Sequence, residues 1–222
     1  MKWPFDIFRR QAAYPEWYQR YAAQNFNPPK ETLIDELSFV VFDTETTGLD
    51  PSKDEILSIG AIKLQGQRFS VGQVFHFLNH SEHSKFSEDS VQIHGLRASD
   101  LPSHGIEELI PIFFEYVGNA ILVGHHIGFD VKMIELHSKK IGGGPLLNKC
   151  LDTATLARRY DDPWGTSNVL PDQYTLDTLC QRFDEKPLGR HTAEGDAYLT
   201  TMVFLKICAL LKIRGILKYK DL

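Results

Sequence analysis

Phe39-Val40-Val41-Phe42 is a continuous apolar run, and such a run fits a strand that is covered on both faces. A strand of that kind requires helices above and below its sheet. Ile121-Leu122-Val123 reads as a second buried strand, while Ile56–Leu64 and Phe69–Leu78, separated by Gln65-Gly66-Gln67, read as a hairpin. Ile106, Leu109, Ile110 and Phe113 fall at helical spacing, and further helices are predicted at 131–137, after Cys150-Leu151-Asp152 through Arg159, at 174–183 and at 192–211. Strands first, then alternating helix and strand, predict an α/β domain with a mixed β-sheet flanked by helices. Ile141-Gly142-Gly143-Gly144-Pro145 ends one helix, and Asp161–Asp172, with two prolines and Gly165, is expected to be a mobile loop.

The chain's 222 residues suffice for one well-buried domain, and 42% hydrophobic with 24% charged residues is ordinary for a soluble protein. No apolar run approaches the ~18–20 residues of a membrane-spanning helix, and the N-terminal stretch has no apolar core like that of a secretory signal. Cys150, Cys180 and Cys208 are odd in number and far apart, which suits reduced, buried thiols in a cytoplasmic protein. Three divisions are expected: an aromatic-rich helical extension over 1–36, a main domain over 37–215 and a basic tail over 216–222. Within the first, Trp17, Tyr18 and Tyr21 share a helical face that either packs on the domain or docks a protein partner.

Chemistry is concentrated in four places. Asp43 and Glu45 stand two apart at the end of the first strand, so both carboxylates share one face. Acids side by side repel unless a cation lies between them, and hard divalent ions prefer such oxygen ligands. Asp130 lies just beyond Ile121–Val123, at a predicted helix start where an acid also suits the helix dipole. His191 and Asp196 flank the opening of the last helix. They reach a common site only if His191 sits in the preceding loop, because positions five apart are ~140° apart around a helix.

Phe-Asp-x-Glu-Thr-Thr-Gly-Leu from Phe42, His-x-x-x-Phe-Asp from His125 and His-x-Ala-x-x-Asp from His191 together resemble the DEDDh exonucleases, relatives of the proofreading (epsilon) subunit of DNA polymerase III. The resemblance runs from about Phe39 to Leu210, with further matches at Gln92–Leu96 and Asp152-Thr153. It implies a ribonuclease H-like fold and 3′→5′ hydrolysis of nucleic acid to nucleoside 5′-monophosphates. Asp43, Glu45, Asp130 and Asp196 would hold two Mg²⁺ or Mn²⁺ ions that clamp the attacking and leaving oxygens. His191 would be the general base. Thr46 and Gly48 would meet the terminal nucleotide through backbone groups, Leu49 its base and Phe129 its sugar. His94 and His125 would meet phosphate or the 3′ end.

His126 departs from the family, whose members commonly have Asn there. Adjacent His125 and His126 invite a zinc reading, but no cysteine or third histidine has matching spacing. The expected substrate is a single-stranded 3′ end, of DNA by likeness to the proofreading branch, with RNA trimming and a catalytically silent binding module as the alternatives. A net charge of −5 argues against simple coating of nucleic acid. Lys206, Lys212, Arg214, Lys218 and Lys220 offer either a solvated helix end or a patch that steers phosphates.

Overall fold

The computed structural model describes residues 14–78, 105–166 and 170–222, apart from the side chains at 70–73 and 171. The described strands are β1 (Ser38–Thr46), β2 (Ile56–Gln65), β3 (Arg68–Leu78), β4 (Ile121–Gly124) and β5 (Cys150–Asp152). The described α-helices are α1 (Glu16–Ala22), α2 (Ile106–Val117), α3 (Gly128–Lys140), α4 (Thr153–Asp161), α5 (Leu176–Arg182) and α6 (Ala193–Ile213). The sheet order is β3-β2-β1-β4-β5. The hairpin side pairs antiparallel, and β4 and β5 join β1 in parallel, so the sheet is mixed as the sequence predicts.

β1 is central and its alternation builds two cores. Phe39 and Val41 face one way, into a cluster with Leu156 of α4, Leu179 of α5 and Leu199, Val203 and Phe204 of α6. Val40 and Phe42 face the other way, against Leu109 and Phe113 of α2 and Met133 and Ile134 of α3. Phe39 meets Phe204 at 5.1 Å between centroids, and Phe42 meets Phe113 at 5.4 Å. Each buried side chain of this size stabilises the fold by about 1.5–3 kcal/mol relative to exposure.

The aromatic helix is built into the second core. Tyr18 and Tyr21 are buried, and Tyr21 packs edge-on against Phe114 of α2 at 4.7 Å. The Tyr21 hydroxyl donates to Asn148 Oδ1 at 2.6 Å and accepts from Leu147 N, while the Tyr18 hydroxyl donates to Pro145 O. Gly143 and Gly144 are the seat for these rings: a Cβ on Gly143 would lie 2.4 Å from Trp17, and one on Gly144 2.5 Å from Tyr18. The face carrying Trp17, Tyr18 and Tyr21 is therefore taken up by the domain itself. Trp3, Phe5 and Phe8 lie outside the described residues, as do 167–169 of the expected loop.

The C-terminal segment also packs back. Leu33 bridges to Lys218, and Ile216, Tyr219 and Leu222 lie against the first core. Lys218 and Lys220 pair with Glu31, Lys212 with Asp35 and Lys206 with Glu185, and Arg214 lies 3.7 Å over the Tyr160 ring. Local partners thus absorb this charge, which favours the solvated helix end over the phosphate-steering patch of the two alternatives. Cys180 and Cys208 are buried, but Cys150 is exposed, because β5 is at the edge of the sheet and has no neighbour beyond it among the described residues. No described helix is long and apolar enough to cross a membrane.

Candidate active site

The alternation that builds the cores also places the acids. Asp43 and Glu45 continue the series Phe39, Val41 and so face α6, whereas Thr44 continues Val40, Phe42 and faces α3. On the α6 side, Asp196 in the helix's first turn completes a group in which one oxygen from each of Asp43, Glu45 and Asp196 lies within 4.8 Å of the others. On the α3 side, Asp130 is buried, and its Oδ1 accepts from Thr44 N at 2.9 Å and Thr44 Oγ1 at 2.6 Å. Asp130 therefore adjoins the group from the opposite face and is not one of its three members. The parallel strands β1 and β4 end here, which is where open α/β sheets carry their ligands.

Gly60 explains how α6 comes so close. It lies opposite Asp43 in the β1–β2 register, and a Cβ on it would sit 2.3 Å from the Ala193 carbonyl oxygen. Absence of a side chain lets the first turn of α6 rest on the backbone of β2. An isolated glycine inside a strand is a signal of close approach that sequence reading had available. Gly60→Ala is expected to cost about 1–3 kcal/mol of stability by overpacking. Activity is expected to fall up to ~10²-fold, since ångström-scale displacement of a catalytic group has effects of that size. Wild-type melting and rate in that variant would show the contact to be dispensable.

The electrostatics are those of a site built for cations. Burial, then the nearby charges of Asp130, Asp196 and Glu45, raise the Asp43 carboxyl well above its ordinary range. Burial and Asp196 raise Glu45 in the same direction. Burial lifts Asp130 to about 7 despite its bonds from Thr44. Asp196 is buried and its Oδ1 has no hydrogen-bond partner, an arrangement costly to leave uncompensated. Oxygen-only donors, mutual repulsion and this orphaned oxygen fit a hard divalent ion held by Asp43, Glu45 and Asp196.

His191 lies in the loop before Thr192, the N-cap of α6, as its spacing to Asp196 demanded. It is exposed, adopts φ 62°, and is near enough to Glu45 for its charge to act on that carboxylate. Arg190, in the loop before His191, donates from Nη1 to Asp196 Oδ2 at 2.5 Å and pairs with Asp177 of α5.

Behind β4 the loop is ordered by Asp152 and Thr153. Asp152 Oδ1 caps α4 by accepting from Thr155 N, and Oδ2 accepts from Ile127 N. Thr153 Oγ1 donates to Gly124 O and lies 2.9 Å from His125 Nδ1, which assigns the proton of that contact to Nδ1. His125 Nε2 is then a buried acceptor without a partner. Burial, with His126 adding to it, lowers His125 to about 4, so it is neutral at ordinary pH and brings no positive charge to a phosphate. His126 adopts φ 59°, the left-handed region where both Asn and His are tolerated, so either residue meets the backbone demand of this position. His126→Asn should melt like wild type, whereas His126→Val should lose about 1–2 kcal/mol. Equal melting of the two would remove the backbone explanation. Among the described residues, His125 and His126 belong to no metal-binding group.

The Thr46–Leu49 turn is held from below. Thr46 Oγ1 donates to Gly48 O, and Asp54 accepts from Thr47 Oγ1 and Asp50 N. A Cβ on Gly48 would lie 2.6 Å from Asp54 Oδ2, so Asp54 fills the space that the missing side chain leaves. Leu49 is 88% exposed at the tip, and Phe129 is half-buried against the second core. His94 and the Gln92–Leu96 match lie outside the described residues.

The chain is similar to known proteins over most of its length. The exonuclease family model RNase_T matches residues 40–204. The PolC-type DNA polymerase III of Thermotoga maritima is 32% identical over 200 residues, covering 88% of this chain and 14% of that protein. The PolC-type DNA polymerase III of Caldanaerobacter subterraneus subsp. tengcongensis is 38% identical over 180 residues, covering 80% of this chain and 12% of that protein. This chain thus spans about one seventh or less of the length of these relatives. Escherichia coli exonuclease I in complex with a dT13 oligonucleotide superposes with a TM-score of 0.63 at 16% identity, over 81% of this chain and 42% of that one.

Proposed function

Because the chain belongs to the exonuclease family, in its DEDDh branch, we propose that it hydrolyses single-stranded nucleic acid from the 3′ end, with DNA as the preferred substrate. The observation that carries this reading is the group of Asp43, Glu45 and Asp196 oxygens within 4.8 Å of one another beside His191. Asp43, Glu45 and Asp196, with Asp130 alongside, would hold two Mg²⁺ or Mn²⁺ ions. When bound, these ions supply charge neutralisation and Lewis-acid stabilisation at the scissile phosphate.

The chain's own groups do the rest. His191 takes the proton from the attacking water and, being exposed, returns it to solvent. Water oxygen bonds to phosphorus as the bond to the 3′-oxygen breaks. That oxygen gains a proton, and a nucleoside 5′-monophosphate leaves. Exposed Leu49 lies against the terminal base, on a turn that Asp54 keeps rigid. Phe129 backs the sugar, and Thr46 and Gly48 bind the terminal nucleotide by backbone groups. Neutral His125 has a free Nε2 that suits acceptance from a sugar hydroxyl better than contact with phosphate.

The preference for DNA also draws on exonuclease I, whose structure holds dT13. Matched single-stranded DNA and RNA oligonucleotides, compared by kcat/KM, test it. Faster turnover of DNA supports the assignment, and faster turnover of RNA replaces it with RNA trimming. Calorimetric titration with Mn²⁺ tests the stoichiometry, and a single site per chain would overturn the two-ion arrangement.

A further inference from the structure

Among the described residues, Arg190 is the cation in direct contact with the carboxylate group, and its guanidinium is divided between two acids. Nε and Nη2 form a two-point pair with Asp177 of α5, at 2.6 and 3.2 Å, while Nη1 donates to Asp196 Oδ2 at 2.5 Å. The Arg190 side chain is 19% exposed and that of Asp196 10%, so water and salt screen this contact only weakly. The two oxygens of Asp196 are thereby sorted. Oδ2 is occupied by the guanidinium, and Oδ1 is the buried oxygen with no partner. A hydrogen bond to one oxygen restricts how a buried carboxylate turns, so its other oxygen has a favoured direction.

Arg190 also precedes His191, whose φ of 62° lies in the left-handed region. Fixing the Arg190 side chain at both ends fixes where that strained loop presents the imidazole. Next to it, Thr192 donates to Gly189 O at 2.9 Å and caps α6 by accepting from Gly195 N at 2.8 Å. The loop is thus tied to α5 through Asp177 and to α6 through Asp196 and Thr192.

We propose that Arg190 is a positioning residue that aims Asp196 and His191 and, by neutralising part of the Asp196 charge, holds divalent-ion affinity below what the acids alone would give. This rests on the reading that the acids hold divalent ions. Two effects of opposite sign follow. Removal of the guanidinium makes the site more negative, so ions bind more tightly while their arrangement becomes less productive. Loss of the Asp177 carboxylate removes a nearby negative charge and leaves Arg190 to Asp196 alone, so ions bind more weakly.

The experiment is calorimetric titration of Mn²⁺ into the full chain as wild type, Arg190→Gln, Arg190→Lys and Asp177→Asn, with kcat on a single-stranded oligonucleotide. Outer partners of metal ligands typically change affinity or activity by about 10–100-fold, which sets the scale. Arg190→Gln is expected to bind Mn²⁺ about tenfold more tightly and to turn over about tenfold or more slowly. Arg190→Lys should keep wild-type Mn²⁺ affinity, and Asp177→Asn should bind it more weakly. A merely structural role would weaken binding in all three. Unchanged or weaker binding in folded Arg190→Gln overturns the proposal, as does unchanged kcat. If Arg190→Gln does not fold, unchanged or tighter binding in Asp177→Asn overturns it instead. Failure of the wild type to bind Mn²⁺ would sink the metal reading itself, which the same titration separates from the Arg190 assignment.

Discussion

Asp43→Asn is expected to abolish nucleolytic turnover and, in chelator, to raise the melting temperature. Asp43 is central to the acidic site: Asp130, Asp196 and Glu45 all act on its carboxyl, and burial penalises its charge further. Removing that charge relieves repulsion in the metal-free fold, with about 2–4 °C gained for each kcal/mol in a chain of this size. The same change removes an ion ligand, and ions worth several kcal/mol of transition-state stabilisation correspond to roughly 10²–10⁴ in rate. A pH dependence follows. Asp43, Glu45 and Asp130 are all raised, so the folded protein binds more protons than the unfolded chain above the ordinary carboxylate range. Their stabilisation is complete below that range and is lost as pH rises through the raised values, about 7 for Asp130. His125, lowered to about 4, and His137, also lowered by burial, act oppositely and remove stability as pH falls below 6.5. Three carboxyls outweigh two imidazoles, so melting in chelator should be higher at pH 5.5 than at pH 8. Mn²⁺ should reverse that order, because it binds the deprotonated acids. A chelated protein that melts higher at pH 8, or an Asp43→Asn variant with near-wild-type turnover, would contradict this picture.

His191→Ala is expected to lower kcat by the ~10²–10⁴-fold typical of a general base, with Mn²⁺ affinity close to wild type. The ring stands in the loop ahead of α6, outside the group of oxygens that fits an ion, although its charge reaches Glu45. Its removal should therefore separate rate from metal binding, whereas Asp43→Asn should damage both. Paired titrations and rates make the distinction. A large loss of Mn²⁺ affinity in His191→Ala would make the imidazole a ligand, and an unchanged rate would leave the proton transfer to another group.

The parts of this molecule legible in its sequence are those encoded by local pattern. The β1 run and the Asp43–Glu45 spacing gave the strand and the shared face because side chains alternate along strands. The helical periodicity over 106–117 and the long helix after His191 were equally local. What stayed hidden depends on contacts remote in the chain. Nothing local marks Arg190, because its partner Asp177 lies thirteen positions earlier on another helix. The C-terminal lysines leave a solvated helix end and a phosphate-steering patch both open in the sequence, because their partners Glu31 and Asp35 come from the far end of the chain. Cys150 was expected to be buried, since composition does not say which strand forms the sheet's edge. Asp152-Thr153 is legible in the sequence as a motif, but its work of tying α4 to the His125–Ile127 loop appears only in the fold.

The most direct test is a time course on a 5′-labelled single-stranded DNA in Mg²⁺, in Mn²⁺ and in excess chelator. The account predicts a ladder shortening from the 3′ end in either metal, release of nucleoside 5′-monophosphates, and no cleavage in chelator. Cleavage that persists in chelator, or that removes the labelled 5′ nucleotide first, would contradict it.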